Sequence, residues 1–443
     1  MLNVLKNKIG EAFSSLGVEE YEVFYVCRAD CSVGTLNGEV NSFSSGECGT
    51  IYVRALVDGR MGCSSTELFT EDEMGELAHR AFDNAKAIEK LDTVGFFGGA
   101  ESYEEMRMPE YTSMGAGELR RLASDMAQAL YAEDSSVKDG TSTTAATASY
   151  HYRLMNSHGL DLECKGGINI VLGEAVIEKD GESQAEYAIR VARENAVSEI
   201  AKEAVGGALA KVGADTVPSA SYDIIFSGKE MRSLLSVFAS AFSSKKVLDG
   251  VSPLKDKEGE KIAADIVTIT DDPQREGNMC GINFDMEGVP THRRAVVENG
   301  VLKTLLYNRE TALKMGKQST GNAGRSGGAI DITNYSFCIE PGDKSLDELL
   351  VMADGGIYIT EIKGLHAGAN AVTGDFSLES EGFLIEGGKL GRAVKSFTVA
   401  GNFYELLMQI SAISDKLECG VQTGFSGFGS ADVLVKRMSV AGK

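Results

Sequence analysis

"FSGKEMRSLLSVFASAFSSKK", residues 226–246, is the stretch from which the rest of the chain is read. Counted at 100° per residue, Met231, Leu234, Leu235, Phe238 and Phe242 form one apolar stripe, while Ser233, Ser236, Ser240 and Ser243 form a small polar stripe opposite. Ser227-x-x-Glu230 has the spacing of a capping box and predicts a helix starting near Gly228. Serines let a neighbouring element approach closely, so the expectation is a helix packed on both sides. The stretch also opens a part of the chain that turns β-rich after it.

Upstream, 21–28, 31–45, 48–57 and 59–65 have strand composition, with turn signals at Asn37-Gly38 and Asp58-Gly59. A helix over 70–88 follows, opened by a second capping box, Thr70-x-x-Glu73, and another helix covers 117–134. Strand-like 145–157, 159–179 and 183–193 and a helix over 196–213 then repeat the order, which suggests a duplicated meander-plus-helix unit. "GADTVPSASYD" (213–223) reads as a linker, giving an N-terminal α+β domain over 1–215 and a C-terminal β-rich domain over 222–443. Strand signals at 263–270, 291–308, 331–342, 355–362, 375–401 and 431–440, with hairpin turns at Asn299-Gly300 and Gly387-Gly388, predict a mixed sheet or barrel with a few helices. The fold class expected is α+β.

Acidic residues outnumber basic ones 65 to 43 among 443 residues, a formal charge of −22, which argues against nucleic-acid and anionic-membrane partners. The eight cysteines (27, 31, 48, 63, 164, 280, 338, 419) are scattered and are expected to be buried reduced thiols. Residues 1–17 read as an amphipathic helix lacking the continuous apolar run of a signal peptide, and no segment is long enough to span a bilayer. A soluble cytoplasmic protein is the expectation.

Familiar chemistry is scarce. In 316–328 and 382–390 the glycines do not bracket a phosphate-binding Lys-Ser/Thr, so both clusters read as turns. No His-Glu-x-x-His array occurs. Of five histidines, His79 reads as a surface residue, His151 and His158 flank a strand and a turn, His292 adjoins Arg293 and Arg294, and His366 sits in a polar glycine-rich loop. An independent hydrolase built on His366, Asp375, Asp271 and Asp285 is the alternative to weigh, although Asp271-Asp272-Pro273 also reads as a strand-ending turn.

"SPLKDKEGEKIAADIVTITDDP" (252–273), the stretch 283–325 ending "GNAGR", "ANAVTGDFSLESEGFLIEGGKL" (369–390) and "TVAGNFYELLMQI" (398–410) resemble the TldD/PmbA family, historically labelled modulators of DNA gyrase. The resemblance covers essentially all of 222–443; over 1–215 only layout and lengths agree. It implies a two-domain α+β fold and cytoplasmic cleavage of unstructured peptides by a TldD–TldE heterodimer with an interior zinc site. TldD-type relatives carry His-Glu-x-x-x-His on the opening helix, and counting back from the shared region places Leu235, Ser236 and Ser240 at those positions. Cys419 lies near, but not convincingly at, the place of a late cysteine ligand. The chain thus resembles the PmbA/TldE branch: no catalytic, cofactor or metal residues of its own, zinc in a TldD-like partner, and a homodimer when isolated.

Overall fold

The computed structural model describes residues 2–92, 94–107, 110–276, 281–422, 424 and 426–443. The first ten elements are α1 (Leu2–Ser15), β1 (Glu20–Leu36), β2 (Glu39–Val57), β3 (Arg60–Thr66), α2 (Glu71–Ala87), α3 (Ala116–Glu133), β4 (Ser142–Asn156), β5 (Asp161–Lys179), β6 (Glu182–Val191) and α4 (Ala196–Ala210). They form one antiparallel six-stranded sheet in the order β3-β2-β1-β4-β5-β6. The order helix, three strands, helix occurs twice, and the two meanders meet at β1 and β4, paired from Glu22↔Asn156 to Leu36↔Ser142. Asn37-Gly38, Asp58-Gly59 and Asp180-Gly181 turn the hairpins with positive φ at both residues, the conformation Asn-Gly and Asp-Gly favour.

Alternation along β1 divides the sheet's two faces. Val23 and Tyr25 pack with Ile9, Phe13, Met74 and Leu77 of α1 and α2. Phe24, between them, faces the other way and packs with Tyr152, Phe284, Met286 and Tyr335, so the C-terminal half covers that face. The strands expected at 21–28 and 31–45 are not separate: β1 runs unbroken through Arg28–Cys31, and β2 through Ser45–Cys48. Because β3 pairs only with Ile51–Val57, the first part of β2 is an open edge, with Phe43 61% exposed.

The C-terminal half opens with β7 (Ala220–Phe226), α5 (Gly228–Phe238), α6 (Ser244–Leu248), β8 (Ile269–Asp271), β9 (Arg294–Glu298), β10 (Val301–Leu302), α7 (Arg309–Met315), β11 (Ala323–Ser326), β12 (Ala329–Ile332) and β13 (Ser336–Ile339). It continues through α8 (Leu346–Met352), β14 (Ile357–Lys363), α9 (Leu365–Gly368), β15 (Asp375–Glu386), β16 (Lys389–Asn402), α10 (Phe403–Gln409), β17 (Ile410–Ile413), β18 (Glu418–Cys419), β19 (Gly427–Ser430) and β20 (Val433–Ala441). One sheet runs β10-β9-β8-β13-β19-β18; another runs β16-β15-β14-β7-β20-β17 and closes on itself through β16–β20 pairing, while β11 and β12 form a separate hairpin. The overall class is α+β.

Three local expectations change. The helix read over 226–246 breaks: α5 ends at Phe238, a 3-10 turn covers Ala239–Phe242, and α6 follows, which leaves Ser240 off the α-helix. The linker is bound down, Asp215 bridging to Val394 and Val217 fully buried in the C-terminal core. Among the described cysteines only Cys164 and Cys338 are buried, whereas Cys48 and Cys419 are exposed; all of them are free, and Cys280 lies outside the described residues. No helix among the described residues is long and apolar enough to cross a membrane.

Candidate functional site around α5

The apolar stripe of α5 behaves as its spacing requires. Met231, Leu234, Leu235, Phe238 and Phe242 are all fully buried. Phe238 stacks on Phe403 with centroids 4.4 Å apart, and Phe242 packs against Phe337 at 5.2 Å, so the stripe joins the two C-terminal sheets. Ser227 caps the helix by accepting from the Glu230 N–H at 3.4 Å, and the Gly228 N–H donates to Asp432 Oδ1 at 2.9 Å. Glycine is needed at 228, where a Cβ would stand 2.6 Å from the Ser430 carbonyl oxygen.

Only half of the expected capping box forms. Instead of reaching back to the Ser227 N–H, which donates to Ile359, the Glu230 carboxylate accepts from the Ile362 N–H at 3.1 Å. Glu230 is 4% exposed, and burial pushes its carboxyl up to about 7 against the opposing pull of Lys229, 3.9 Å away. Lys229 also pairs with Glu186 of β6, which shares Lys211 with Glu361 at 2.7 Å on each side. This ionic chain ties the start of α5 to the N-terminal sheet.

The serine face is not covered on both sides, contrary to the sequence expectation: Ser236 and Ser240 are exposed. Arg232, Ser233 and Ser236 instead wall an open cleft of about 500 Å³, with Gly420, Gln422 and Phe428 opposite. The Ser233 hydroxyl donates to the Lys229 carbonyl at 2.8 Å and that of Ser236 to the Ser233 carbonyl at 2.7 Å. Neither serine has a base beside it, so neither is set up as a nucleophile. Arg232 Nη1 donates to Glu418 Oε1 at 2.5 Å, which ties this wall of the cleft to β18.

Leu235, Ser236 and Ser240 do not form a zinc site. Leu235 points into the core, the two serines face out, and a hydrocarbon with two neutral hydroxyls supplies neither imidazole nor carboxylate. No group of three or more His, Cys, Asp and Glu side chains among the described residues is arranged to hold a metal ion. Cys419, next to Glu418, shares a hydrogen bond with Cys338 that holds its thiol down to about 7. The two sulfurs meet over Gly429, where a Cβ would lie 2.7 Å from Cys338 Sγ and 2.9 Å from Cys419 Sγ.

The alternative constellation does not assemble. Asp271 accepts from Asn322 Nδ2 and the Tyr335 N–H, both at 2.7 Å, and Asp285 from the Ala323, Glu287 and Val289 N–H groups, each at 2.9 Å. Burial pushes Asp271 up to about 6 and, with Glu287 beside it, Asp285 to about 7; their work is to hold the strand entering β11. Asp375 bonds Asn402 at 3.0 Å in the other sheet, and His366 sits exposed on α9, hydrogen-bonded to none of the three among the described residues. His151, His158 and His292 each pair with a separate carboxylate: Glu163 at 2.7 Å, Glu20 at 3.2 Å and Glu104 at 2.5 Å. His79 is exposed on α2, as its position on that helix predicts.

Residues 219–442 match the family model described as the PmbA/TldA metallopeptidase C-terminal domain, and residues 21–85 match domain 1 of the same family. An uncharacterised protein of Methanocaldococcus jannaschii is 30% identical over 407 residues, covering 89% of this chain and 92% of that protein. The metalloprotease PmbA of Escherichia coli O157:H7 is 25% identical over 427 residues, covering 93% and 90%. Among solved structures, a Thermotoga maritima protein described as a candidate modulator of a DNA gyrase is 28% identical with TM-score 0.89, covering 100% of both chains. TldE from Thermococcus kodakarensis has the same fold, with TM-score 0.89 at 24% identity over 99% of this chain and 100% of that one.

Proposed function

The chain belongs to the PmbA/TldD metallopeptidase family, and from that premise we propose that it is the non-catalytic, PmbA/TldE-like subunit of a cytoplasmic heterodimer that cleaves unstructured peptides. In this reading a TldD-like homologue holds the zinc. The observation that carries it is α5: the positions counted as the zinc motif hold Leu235, buried in the core, and Ser236 and Ser240, exposed without a base or a metal-binding donor. A catalytic zinc is held by three protein ligands with its activated water in the fourth position, and these residues supply no such ligand.

The chain's own contribution is then to bind and guide. The α5 cleft, with Arg232 and Glu418 at its edge and neutral hydroxyls along its wall, can present hydrogen-bonding groups to an extended peptide without hydrolysing it. The formal charge of −22 speaks against a direct role on DNA, although some relatives carry a gyrase-modulator label. Isolated, the chain forms a homodimer through the surface that otherwise meets its partner.

The test is zinc analysis of the purified chain with cleavage of an unfolded peptide, alone and mixed with a His-Glu-x-x-x-His-bearing homologue. Activity and stoichiometric zinc only in the mixture support the subunit reading. Zinc and cleavage in the isolated chain refute it, and would revive the independent hydrolase near His366.

A further inference from the structure

A second cavity, of about 560 Å³, lies away from α5, between the N-terminal sheet and the β11–β12 hairpin. The sheet contributes the aromatic rings of Phe24, Tyr52 and Tyr152, and the hairpin side contributes Arg325 and Tyr335. This volume is within the range of about 300–1,000 Å³ typical of small-ligand sites, which are mostly apolar with a few placed polar groups.

Arg325 is the unusual member. Its side chain is 3% exposed, and its guanidinium carbon stands 4.5 Å from the centroid of the Phe24 ring. Nη2 donates to Glu22 Oε1 at 2.6 Å and to the Met286 carbonyl at 2.9 Å, but buried Nε and Nη1 have no acceptor among the described residues. Buried donors are nearly always satisfied, so a guanidinium with two unsatisfied nitrogens beside a cavity calls for acceptors from outside the chain.

Local charge points the same way. Among the described residues Glu22 is the one carboxylate bonded to Arg325, and it is also held by Arg54 through Nε at 2.9 Å and Nη2 at 3.0 Å. Two buried guanidiniums therefore share one carboxylate. Glu287, the next acidic group, is turned to the Arg309 N–H at 2.9 Å. At the rim stand exposed Arg28 and Glu67; inside, Glu287 also pulls on Arg54 and Arg325 but bonds to neither, so the two nitrogens of Arg325 stay unpartnered among the described residues. Planar guanidinium donors suit a carboxylate, and the rings suit an apolar residue attached to it.

We propose that this cavity is a carboxylate-anchoring subsite for a peptide, with Arg325 binding the anion and Phe24, Tyr52 and Tyr152 holding the adjoining apolar side chain. The proposal deepens the peptide-processing reading and rests on it for the ligand class. A place on the path to α5 is also available: Tyr335, in the cavity wall, hydrogen-bonds through its backbone to Gly427, in the α5 cleft wall.

The chain contains no tryptophan, so a tryptophan in a probe peptide reports its own surroundings by fluorescence. Three probes are titrated into the full chain: acetyl-Gly-Gly-Trp-Leu with a free carboxylate, the same peptide as its C-terminal amide, and an amide with Glu in place of the second Gly. The free acid is expected to bind with a blue-shifted emission, and its amide at least tenfold more weakly. Recovery of affinity by the Glu-containing amide would assign the anchor to side-chain carboxylates as well as chain ends. Arg325→Gln should lose at least tenfold in affinity for the acid. Val26→Phe, which fills the cavity from β1 without touching the ion network, should do the same and covers the case in which the arginine variant does not fold. Equal binding of acid and amide, or undiminished binding by a folded Val26→Phe, overturns the proposal. Cleavage with a TldD-like homologue is read separately: selective acid binding without any cleavage keeps the subsite and overturns the subunit reading.

Discussion

Replacing Glu230 by glutamine should stabilise the protein, by an amount that grows with pH. Glu230 is 4% exposed, and burial raises its carboxyl from 4.5 to about 7. Below pH 4.5 the group is protonated in both the folded and unfolded states and has no effect. Between 4.5 and about 7 the folded state keeps a proton that the unfolded state has released, so stability falls as pH rises through that window, and the full cost persists above it. With 1.36 kcal/mol per pKa unit, the cost is about 1.4 kcal/mol at pH 5.5 and about 3 kcal/mol at pH 8. Glutamine removes this cost and keeps a carbonyl oxygen for the Ile362 N–H, 3.1 Å from the present carboxylate. Chemical denaturation followed by far-ultraviolet circular dichroism should therefore show Glu230→Gln more stable than wild type at both pH values, with the gap wider by about 2 kcal/mol at pH 8. A variant less stable than wild type at pH 8, or a gap independent of pH, would refute the assignment of a strained buried carboxyl to this helix.

Glu22→Gln should be strongly destabilising, by about 3–5 kcal/mol in denaturant unfolding, because it leaves Arg54 and Arg325 buried without their shared counter-charge. Burial opposes ionisation of Glu22, yet Arg325 and Arg54 together hold its carboxyl below the usual range, so its contribution in wild type is lost as pH falls through that lowered value. Gly228→Ala, with its Cβ 2.6 Å from the Ser430 carbonyl oxygen, should cost about 1–3 kcal/mol in the same assay. Cys419 should be the fastest-alkylating thiol at neutral pH, its rate half-maximal near pH 7, and Cys338→Ser should slow it; mass spectrometry of iodoacetamide-treated protein checks both. Leu235→Ala should destabilise by about 2–5 kcal/mol without altering zinc content, as read by unfolding and metal analysis.

Much of the fold was legible because local rules and tertiary structure agree. Asn37-Gly38 and Asp58-Gly59 turn hairpins where their chemistry says they should, and all five residues of the α5 apolar stripe are buried. The interruptions read near Arg28–Cys31 and Ser45–Cys48 failed because strand pairing overrides local composition: β1 is paired on both sides through that region, to β2 and to β4. The helix over 226–246 looked continuous because its periodicity is, and the 3-10 turn at Ala239–Phe242 has no Gly or Pro to announce it. At the candidate sites, Glu230 was legible as a capping residue but not as a buried carboxyl, since its partner Ile362 is 132 residues away. Arg325 lay in plain view within "GNAGR", but its partner Glu22 lies 303 residues upstream, and no local signal connects them.

The open edge of β2 is also selective about what can join it. Over 39–50 this strand has no neighbour on one side among the described residues, and a second copy laid antiparallel and centred on Phe43 would set Phe43 against Phe43 and Glu39 against Glu47 at each end. Like charges facing across strands repel, so the acidic ends oppose the pairing that the exposed ring invites. A foreign strand with basic residues opposite Glu39 and Glu47 would meet the same ring and turn both repulsions into attractions. The arm thus refuses its own copy in register while leaving a complementary chain free to extend the sheet.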